Sequence, residues 1–234
     1  MSIVKFANVT KKYYGKVALD NVNFELPAGK VVGLIGPNGS GKSTALKLMA
    51  GLIRANRGAV TVCGKPAGRR ISDEVAFLSE LDTFYSFFTV KESINFYHGQ
   101  YKDFDLAKAE QMLKFMQLKP EARVKDLSKG NRGRLKIALT LARRAKLILM
   151  DEPLSGLDPI VRELIIKSLA SFIDLEQQTV IMTTHEVAEI EPLLDMVVAI
   201  RDGNVLKIEE IDNIREEYNI SLVEWMKKVI GHLD

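Results

Sequence analysis

Residues 36–43 have the residue types and the spacing of a phosphate-binding loop. They read Gly-Pro-Asn-Gly-Ser-Gly-Lys-Ser, which fits the pattern G-x-x-x-x-G-K-[ST], between an apolar run and the start of a predicted helix. Glycines let successive backbone N–H groups turn towards phosphate oxygens, and a helix N-terminus adds a positive dipole. We expect Lys42 to bridge the β- and γ-phosphates of a nucleotide and the Ser43 hydroxyl to bind Mg²⁺. The residues predicted to contact the nucleotide here are Gly36, Pro37, Asn38, Gly39, Ser40, Gly41, Lys42, Ser43 and Thr44.

Two adjacent carboxylates, Asp151 and Glu152, follow the apolar run at residues 147–150. The end of a buried parallel strand is the sheet edge at which open α/β sheets bind ligands. There Asp151 can hold Mg²⁺ through water, and Glu152 can polarise the water that attacks the γ-phosphate. An Asp-Glu pair after a strand also occurs in ordinary turns, so it is the phosphate loop that favours the catalytic interpretation.

His185 follows another apolar run, residues 180–182, after two threonines. A lone histidine is more often a structural hydrogen-bonding residue than a catalytic one. Its place just past a predicted strand end instead favours a sensor of the γ-phosphate. We therefore group His185 with Glu152 and Lys42 as the candidate catalytic residues.

A second predicted helix start lies at residues 127–131, which read Leu-Ser-Lys-Gly-Asn. They precede the apolar stripe of Leu135, Ala138, Leu139 and Ala142, which has helical spacing. Ser128 and the Gly130 backbone would therefore lie at a helix N-terminus, which predicts a second anion site.

The elements that must position these residues alternate between strand and helix patterns. Four continuously apolar runs predict strands that are buried on both faces, at Val31–Ile35 and at residues 147–150, 180–182 and 197–200. Helical patterns between them imply parallel pairing in a sheet covered by helices. We therefore predict an α/β fold with a mostly parallel core sheet, and we take residues 1–234 as one domain.

Two regions depart from this alternation. Residues 3–9 and 18–26 alternate apolar and polar positions around a turn at Tyr14, and with residues 60–62 they predict an N-terminal antiparallel β subdomain. The apolar spacing becomes helical over about 82–145, which predicts an inserted α-helical subdomain. Residues 207–234 are rich in acidic side chains and predict a short C-terminal helical extension.

Composition narrows the function classes further. The chain has 234 residues with 47% hydrophobic and 27% charged side chains, which argues against disorder. A formal net charge of +3 is too small to predict a nucleic-acid partner. The single cysteine, Cys63, allows no internal disulfide or multi-thiolate metal site. The apolar runs are shorter than the ~18 residues of a bilayer span, so we expect a cytoplasmic location and a membrane role only through a partner.

In their order along the chain, these motifs resemble those of the nucleotide-binding subunit of an ATP-binding-cassette (ABC) transporter. The resemblance runs over about residues 3–206, and residues 127–131, the signature segment, are its most family-specific element. It implies a Mg²⁺-dependent ATPase that works as a head-to-tail dimer, either homomeric or heteromeric. Each of two ATP molecules would then lie between the phosphate loop of one subunit and the signature segment of the other.

Three further roles follow only from the resemblance. Tyr14 would stack on adenine, although its neighbour Tyr13 is one register step away. Asp158, in a dimer loop at residues 155–158, would contact the second subunit, or it would simply cap a helix. Glu80 occupies a position at which the family usually has glutamine, and it would reach Mg²⁺ and the attacking water.

The signature segment also departs from the family pattern, with Lys129 in place of glycine and Asn131 in place of glutamine. None of these changes removes a group that hydrolysis requires, so we expect an active site. The pattern is most similar to that of bacterial efflux ATPases whose membrane subunit is a separate chain.

The partner prediction rests on an aromatic cluster, Phe84, Tyr85, Phe87 and Phe88. Exposed aromatic patches often mark interfaces, and in the family this region docks a transmembrane subunit. The other interpretation is that these rings merely pack the insertion. With such a partner the chain would lie peripherally on the inner face of the cell membrane. The alternative function is a soluble ABC ATPase that acts on ribosomes or DNA, a class that usually has two cassettes or a long coiled-coil insertion.

Overall fold

The computed structural model describes residues 2–81, 84–185 and 187–231 and arranges them as two sheets flanked by helices. The strands are β1 Ser2–Tyr13, β2 Lys16–Pro27, β3 Val31–Ile35, β4 Arg57–Val62, β5 Lys65–Pro66, β6 Val75–Leu78, β7 Leu147–Asp151, β8 Thr179–Thr183, β9 Met196–Arg201 and β10 Asn204–Glu210. The helices are α1 Lys42–Met49, α2 Val90–Gln100, α3 Leu106–Phe115, α4 Lys129–Leu141, α5 Pro159–Phe172, α6 Val187–Ile190, α7 Ile211–Glu216 and α8 Leu222–Ile230.

The core sheet confirms the predicted α/β fold. Its strand order is β10-β9-β3-β8-β7-β6, and every neighbouring pair from β9 to β6 is parallel. All residues of β3, β7 and β8 are buried, as their continuously apolar sequences predict for strands with helices on both faces. Their carboxyl ends therefore meet at one edge of the sheet.

The N-terminal antiparallel sheet has the order β2-β1-β4-β5. In it Phe6 pairs with Phe24, and their rings stack with centroids 4.5 Å apart. The turn between β1 and β2 has positive φ at Tyr14 and Gly15, and this conformation closes the hairpin. The apolar face of this sheet packs on α1, so it lies beside the phosphate loop.

The predicted helical insertion contains α2, α3 and α4, and each begins at a side-chain cap. Thr89 and Glu92 form a capping box on α2, Asp105 caps α3, and Ser128 caps α4. Met112 and Met116 are fully buried in the larger hydrophobic core. Residues 82 and 83, within the predicted bounds of this insertion, lie outside the described residues.

The C-terminal region differs from the prediction at its start. Residues 207–210, predicted as helix, belong to β10, and the first helix begins at Ile211. Val205 and Ile208 pack against the smaller hydrophobic core, and residues 204–210 pair with β9. This pairing makes them a strand in spite of the acidic composition from which a helix was predicted. Helix α8 buries its apolar face against β9 and α6, and residues 232–234 lie outside the described residues. In the described ranges, no helix combines the length and the apolar character needed to cross a membrane.

Arg143 joins the helical region to the core sheet. The residue is 4% exposed, and its Nε donates to the Asp103 carboxylate at 2.8 Å. Nη2 donates to the Ser72 carbonyl at 2.7 Å and Nη1 to the Val75 carbonyl at 3.3 Å. The guanidinium also lies 3.9 Å from the centroid of the Tyr101 ring, a cation–π contact. A buried cation thus has partners on both parts of the structure.

We expect Arg143→Ala to lower the free energy of unfolding by about 3 kcal/mol, because it leaves Asp103 and two carbonyls without their donor. The matched control is Arg144→Ala, which removes the ion pair between Arg144 and Asp105. Because the Arg144 side chain is 74% exposed, this change should lower the free energy of unfolding by less than about 1 kcal/mol. Urea unfolding followed by circular dichroism measures both. Equal losses in the two variants would contradict the assigned role of Arg143.

Candidate functional site

A cavity of about 440 Å³ opens between the phosphate loop and the carboxyl ends of β7 and β8. It brings together residues that are far apart in sequence and that the sequence singled out. Those lining it are Asn38, Gly39, Gly41, Lys42, Ser43, Thr44, Glu80, Glu152 and His185.

The phosphate loop requires glycine at two positions because the backbone passes close to its neighbours. Gly36 and Gly41 have φ of 153° and 112°, where L side chains are strained. A Cβ at Gly36 would lie 2.0 Å from the Ile200 carbonyl oxygen, and one at Gly41 would lie 2.5 Å from that of Ala18. The backbone of the loop therefore lies directly against β9 and β2, with no room for a side chain at these two positions.

Lys42 lies at the centre of this loop. Its Nζ donates to the carbonyl oxygens of Gly36 at 2.7 Å and Pro37 at 3.1 Å. Burial lowers the pKa of the Lys42 ammonium, and the Glu152 and Asp151 carboxylates oppose that shift. The ammonium is thus placed where phosphate oxygens would supply further negative charge.

Ser40 offers a second donor to a phosphate. The residue is 2% exposed, and its Oγ has no hydrogen-bond partner among the residues that the structure describes. A buried hydroxyl without a partner is costly, and a phosphate oxygen would accept a hydrogen bond from it. This observation fits the loop to an anionic ligand.

Asp151 connects three segments at the strand ends. Its Oδ1 accepts from Ser43 Oγ at 2.8 Å and from Thr183 Oγ1 at 2.9 Å, and the residue is 3% exposed. Within the described ranges, no group of three or more His, Cys, Asp or Glu side chains is placed to bind a metal. Mg²⁺ typically takes one or two protein oxygens and completes its shell with water and phosphate, and Ser43 and Asp151 fit that requirement.

Glu152 lies in a strained position with a fixed side chain. Its φ is +48°, unusual for a residue with a Cβ, and its N–H donates to Thr183 Oγ1 at 2.9 Å. His185 Nδ1 donates to Glu152 Oε2 across 2.8 Å, since a carboxylate can only accept. The structure thus brings the candidate base and the candidate sensor into direct contact. The role of Thr183 has no sequence signal beyond its place at a strand end.

The structure separates the two tyrosines near the adenine position. Tyr13 is the last residue of β1 and lines the cavity, with Lys11 Nζ 4.9 Å from its ring centroid. Tyr14 lies at the tip of the hairpin, is fully exposed, and is not part of the cavity lining. The geometry therefore favours Tyr13 over the predicted Tyr14, because Tyr14 belongs to the turn itself and only Tyr13 lines the cavity.

The signature segment lies outside this cavity. Ser128 Oγ accepts from Asn131 N–H at 3.2 Å as the N-cap of α4. A Cβ on Gly130 would lie 3.1 Å from Val161 Cγ2, so glycine allows α4 to pack closely on α5. As far as the structure describes the chain, none of residues 127–131 lines the phosphate-loop cavity. Asp158 caps α5 by accepting from Val161 N–H at 3.0 Å, which is the simpler of its two predicted roles.

Arg162 links two loops of the site, and the sequence gives no sign of it. Its Nε donates to the Leu157 carbonyl at 2.9 Å, beside Asp158, and its Nη1 donates to Glu189 Oε1 at 2.8 Å. Glu189 belongs to α6, the helix that follows His185. The dimer loop and the segment after the histidine are therefore held by one side chain.

Comparisons of the sequence with known proteins find one matching family and relatives of one name. The profile of the family described as ABC transporter matches residues 19–155. The Nod factor export ATP-binding protein I of Burkholderia orbicola is 33% identical over 208 residues, which cover 86% of this chain and 68% of that protein. The protein of the same name in Cupriavidus metallidurans is 35% identical over 213 residues, covering 86% and 69%.

Solved structures give the same result. One described as the ATP binding subunit of an ABC transporter superposes with a TM-score of 0.85 at 25% identity, covering 97% of this chain and 99% of that one. A dimeric ATP-binding cassette in a post-hydrolysis state, bound to ADP and Pi, superposes with a TM-score of 0.79 at 26% identity and covers 89% and 98%.

We expect Tyr13→Ala to weaken ATP binding about tenfold, because stacking of a base on an aromatic ring contributes ~1–3 kcal/mol. Tyr14→Ala is the matched control and should change the Kd by less than about twofold. Titration with a fluorescent ATP analogue measures both. A larger loss for Tyr14→Ala would return the role to the residue that the sequence predicts.

Proposed function

The chain belongs to the ABC transporter family, as an ATP-hydrolysing subunit, and we propose that it drives export through a separate membrane-spanning chain. The observation that carries the hydrolytic part is the row of contacts from Ser43 through Asp151 and Thr183 to Glu152 and His185. The named activity of its relatives, Nod factor export, supports the direction of transport.

In this proposal Glu152 acts as the general base. His185 holds Oε2, and Oε1 accepts a proton from the water whose oxygen attacks the γ-phosphorus. The bond from that phosphorus to the ADP oxygen then breaks, and Lys42 and the loop N–H groups stabilise the charge on the phosphate oxygens. When bound, Mg²⁺ would supply charge neutralisation between the β- and γ-phosphates, and Ser43, Asp151 and Glu80 would hold it.

The second half of each ATP site would come from another subunit. Ser128 is the N-cap of the 13-residue helix α4 and Gly130 lies in its first turn, outside the phosphate-loop cavity of their own chain. Their N–H groups would then bind a nucleotide held by another subunit. The dimeric cassette among the similar structures supports a partner ATPase, either a second copy or a paralogue. Asp158, near Gly130, would contact that partner in addition to capping α5.

A groove of about 270 Å³ on the helical region is the proposed docking surface for the membrane chain. Tyr85 and Phe87 are 50% and 70% exposed, whereas Phe84 and Phe88 pack partly against the core. Two of the four predicted aromatic residues thus fit an interface and two fit the packing interpretation. Aromatic side chains of this kind are typical anchors of interfaces. Docking there would hold the chain at the inner face of the membrane.

We expect Glu152→Gln to bind ATP within about threefold of wild type and to lose at least 10²-fold in turnover, because the base is gone while the phosphate contacts remain. ATP should then trap a dimer. Size-exclusion chromatography with light scattering measures the dimer, and a phosphate-release assay measures turnover. Glu163→Gln, on the exposed face of α5, is the control and should leave both unchanged.

If Glu152→Gln binds ATP and remains entirely monomeric, the shared-site proposal fails. If wild-type protein binds ATP but releases no phosphate at saturating Mg²⁺, the assigned hydrolytic chemistry fails as well.

We expect the double change Tyr85→Ser and Phe87→Ser to reduce recovery of a membrane-spanning partner at least tenfold, because it removes an exposed ring that lines the groove, Tyr85, and the exposed ring beside it, Phe87. ATP binding should not change, since neither residue lines the nucleotide cavity. Quantitative pull-down from detergent-extracted membranes measures recovery. Leu52→Ser, 61% exposed and outside the groove, is the control. Unchanged recovery in the double variant would contradict docking at this groove.

A further inference from the structure

A second cavity, of about 310 Å³, lies between α4 and the end of β6. Glu80 and Glu152 line it and also line the phosphate-loop cavity, so the two spaces are neighbours. Two lysines of α4, Lys129 and Lys136, also line it. Two cations of the signature helix and two carboxylates of the proposed ATP site thus share one cavity.

Lys136 makes a defined contact across this cavity. Its Nζ donates to the Glu80 carbonyl oxygen at 2.9 Å and lies 3.5 Å from that of Leu81. A lysine ammonium has three donors and makes charge-assisted hydrogen bonds to carbonyls. This hydrogen bond is to the backbone of Glu80, so it restrains the main chain from which that carboxylate projects.

A second contact with β6 lies just past the C-terminal end of α4. Arg143, just beyond the end of α4, donates to the Val75 carbonyl at the start of β6, and Lys136 donates just past its end. β6 is the last strand in the sheet order, so one of its edges faces away from β7. The two side chains therefore hold α4 along that edge of the strand.

Lys136 also lies on the helix that begins at the signature segment. Eight residues separate it from Ser128, about 12 Å along the helix axis. The hydrogen bond of Lys136 thus joins the Glu80 segment to the helix whose N-terminus would serve the other site.

We infer that Lys136 is a positioning residue that couples Glu80 in one ATP site to the signature helix that completes the second site. This inference rests on the proposed function. Lys136 itself does not line the phosphate-loop cavity. Its effect on hydrolysis is therefore indirect, through the position of Glu80 and of Ser128.

The test compares Lys136→Met, which keeps the apolar stem, with Lys136→Arg, which keeps the charged donor. The control is Lys114→Met, an exposed lysine of α3 outside both cavities. Steady-state ATP hydrolysis gives kcat, KM and the Hill coefficient for ATP, and thermal unfolding gives Tm. Two coupled sites in a dimer allow a Hill coefficient of at most about 2.

We expect Lys136→Met to lower kcat at least about fivefold and to bring the Hill coefficient to about 1, with the Kd for ATP within about twofold of wild type. The Tm should stay close to wild type, because Glu80 and Leu81 are both exposed and water can replace the lysine at their carbonyls. Lys136→Arg should restore both kinetic values, and Lys114→Met should change neither.

Wild-type kcat and Hill coefficient in Lys136→Met would overturn the inference. So would recovery of kcat when Glu80→Gln is added to Lys136→Met, since that result would mean charge balance rather than a backbone contact. A large fall in Tm for Lys136→Met with no rescue by Lys136→Arg would also overturn it, in favour of a purely structural role. If wild type itself hydrolyses no ATP, it is the proposed function that fails.

Discussion

The Asp151 carboxylate is the contact on which the arrangement of the site depends. A carboxylate that is 3% exposed is tolerated only when its oxygens are hydrogen-bonded or bind a metal. Ser43 and Thr183 meet that requirement from the start of α1 and the end of β8. The same Thr183 hydroxyl accepts from Glu152 N–H and so maintains its strained backbone. One buried charge thus aligns the phosphate loop, two strand ends and the candidate base.

Much of this arrangement follows from sequence because its determinants are local. A continuously apolar strand predicts burial on both faces, and a motif at the end of such a strand predicts a side chain at the ligand edge. The choice between Tyr14 and its alternative Tyr13, and the strand β10, depend on features that are not local to the motif. One hairpin register step decides which tyrosine lines the cavity, and pairing with β9 overrides the acidic composition of residues 207–210. The Arg162 and Lys136 contacts join residues 27 and 56 positions apart and leave no pattern in the sequence.

Two of the departures from the family pattern, Glu80 and Lys129, line the same cavity in the structure. Glu80 adds a carboxylate beside Glu152, and the cavity that both line also carries Lys129 and Lys136. A Cβ on Gly156 would lie 2.1 Å from Lys129 Nζ, so the Lys129 ammonium passes over the dimer loop of its own chain. The carboxylate of Glu80 and the ammonium of Lys129, both departures from the family pattern, therefore line the same cavity.

Because β6 is the last strand of the sheet, the region of α4 can contact the segment that carries Glu80. Strand β6 is last in the sheet order, and a strand edge without a partner strand presents backbone groups to whatever packs beside it. Arg143 and Lys136 use carbonyls near the two ends of that strand, so the helical region is attached to the sheet through the segment that carries Glu80. The groove proposed for docking belongs to the same helical region. A force applied at the groove would therefore act on the Glu80 segment and on α4 together, because Lys136 of α4 is hydrogen-bonded to the Glu80 backbone.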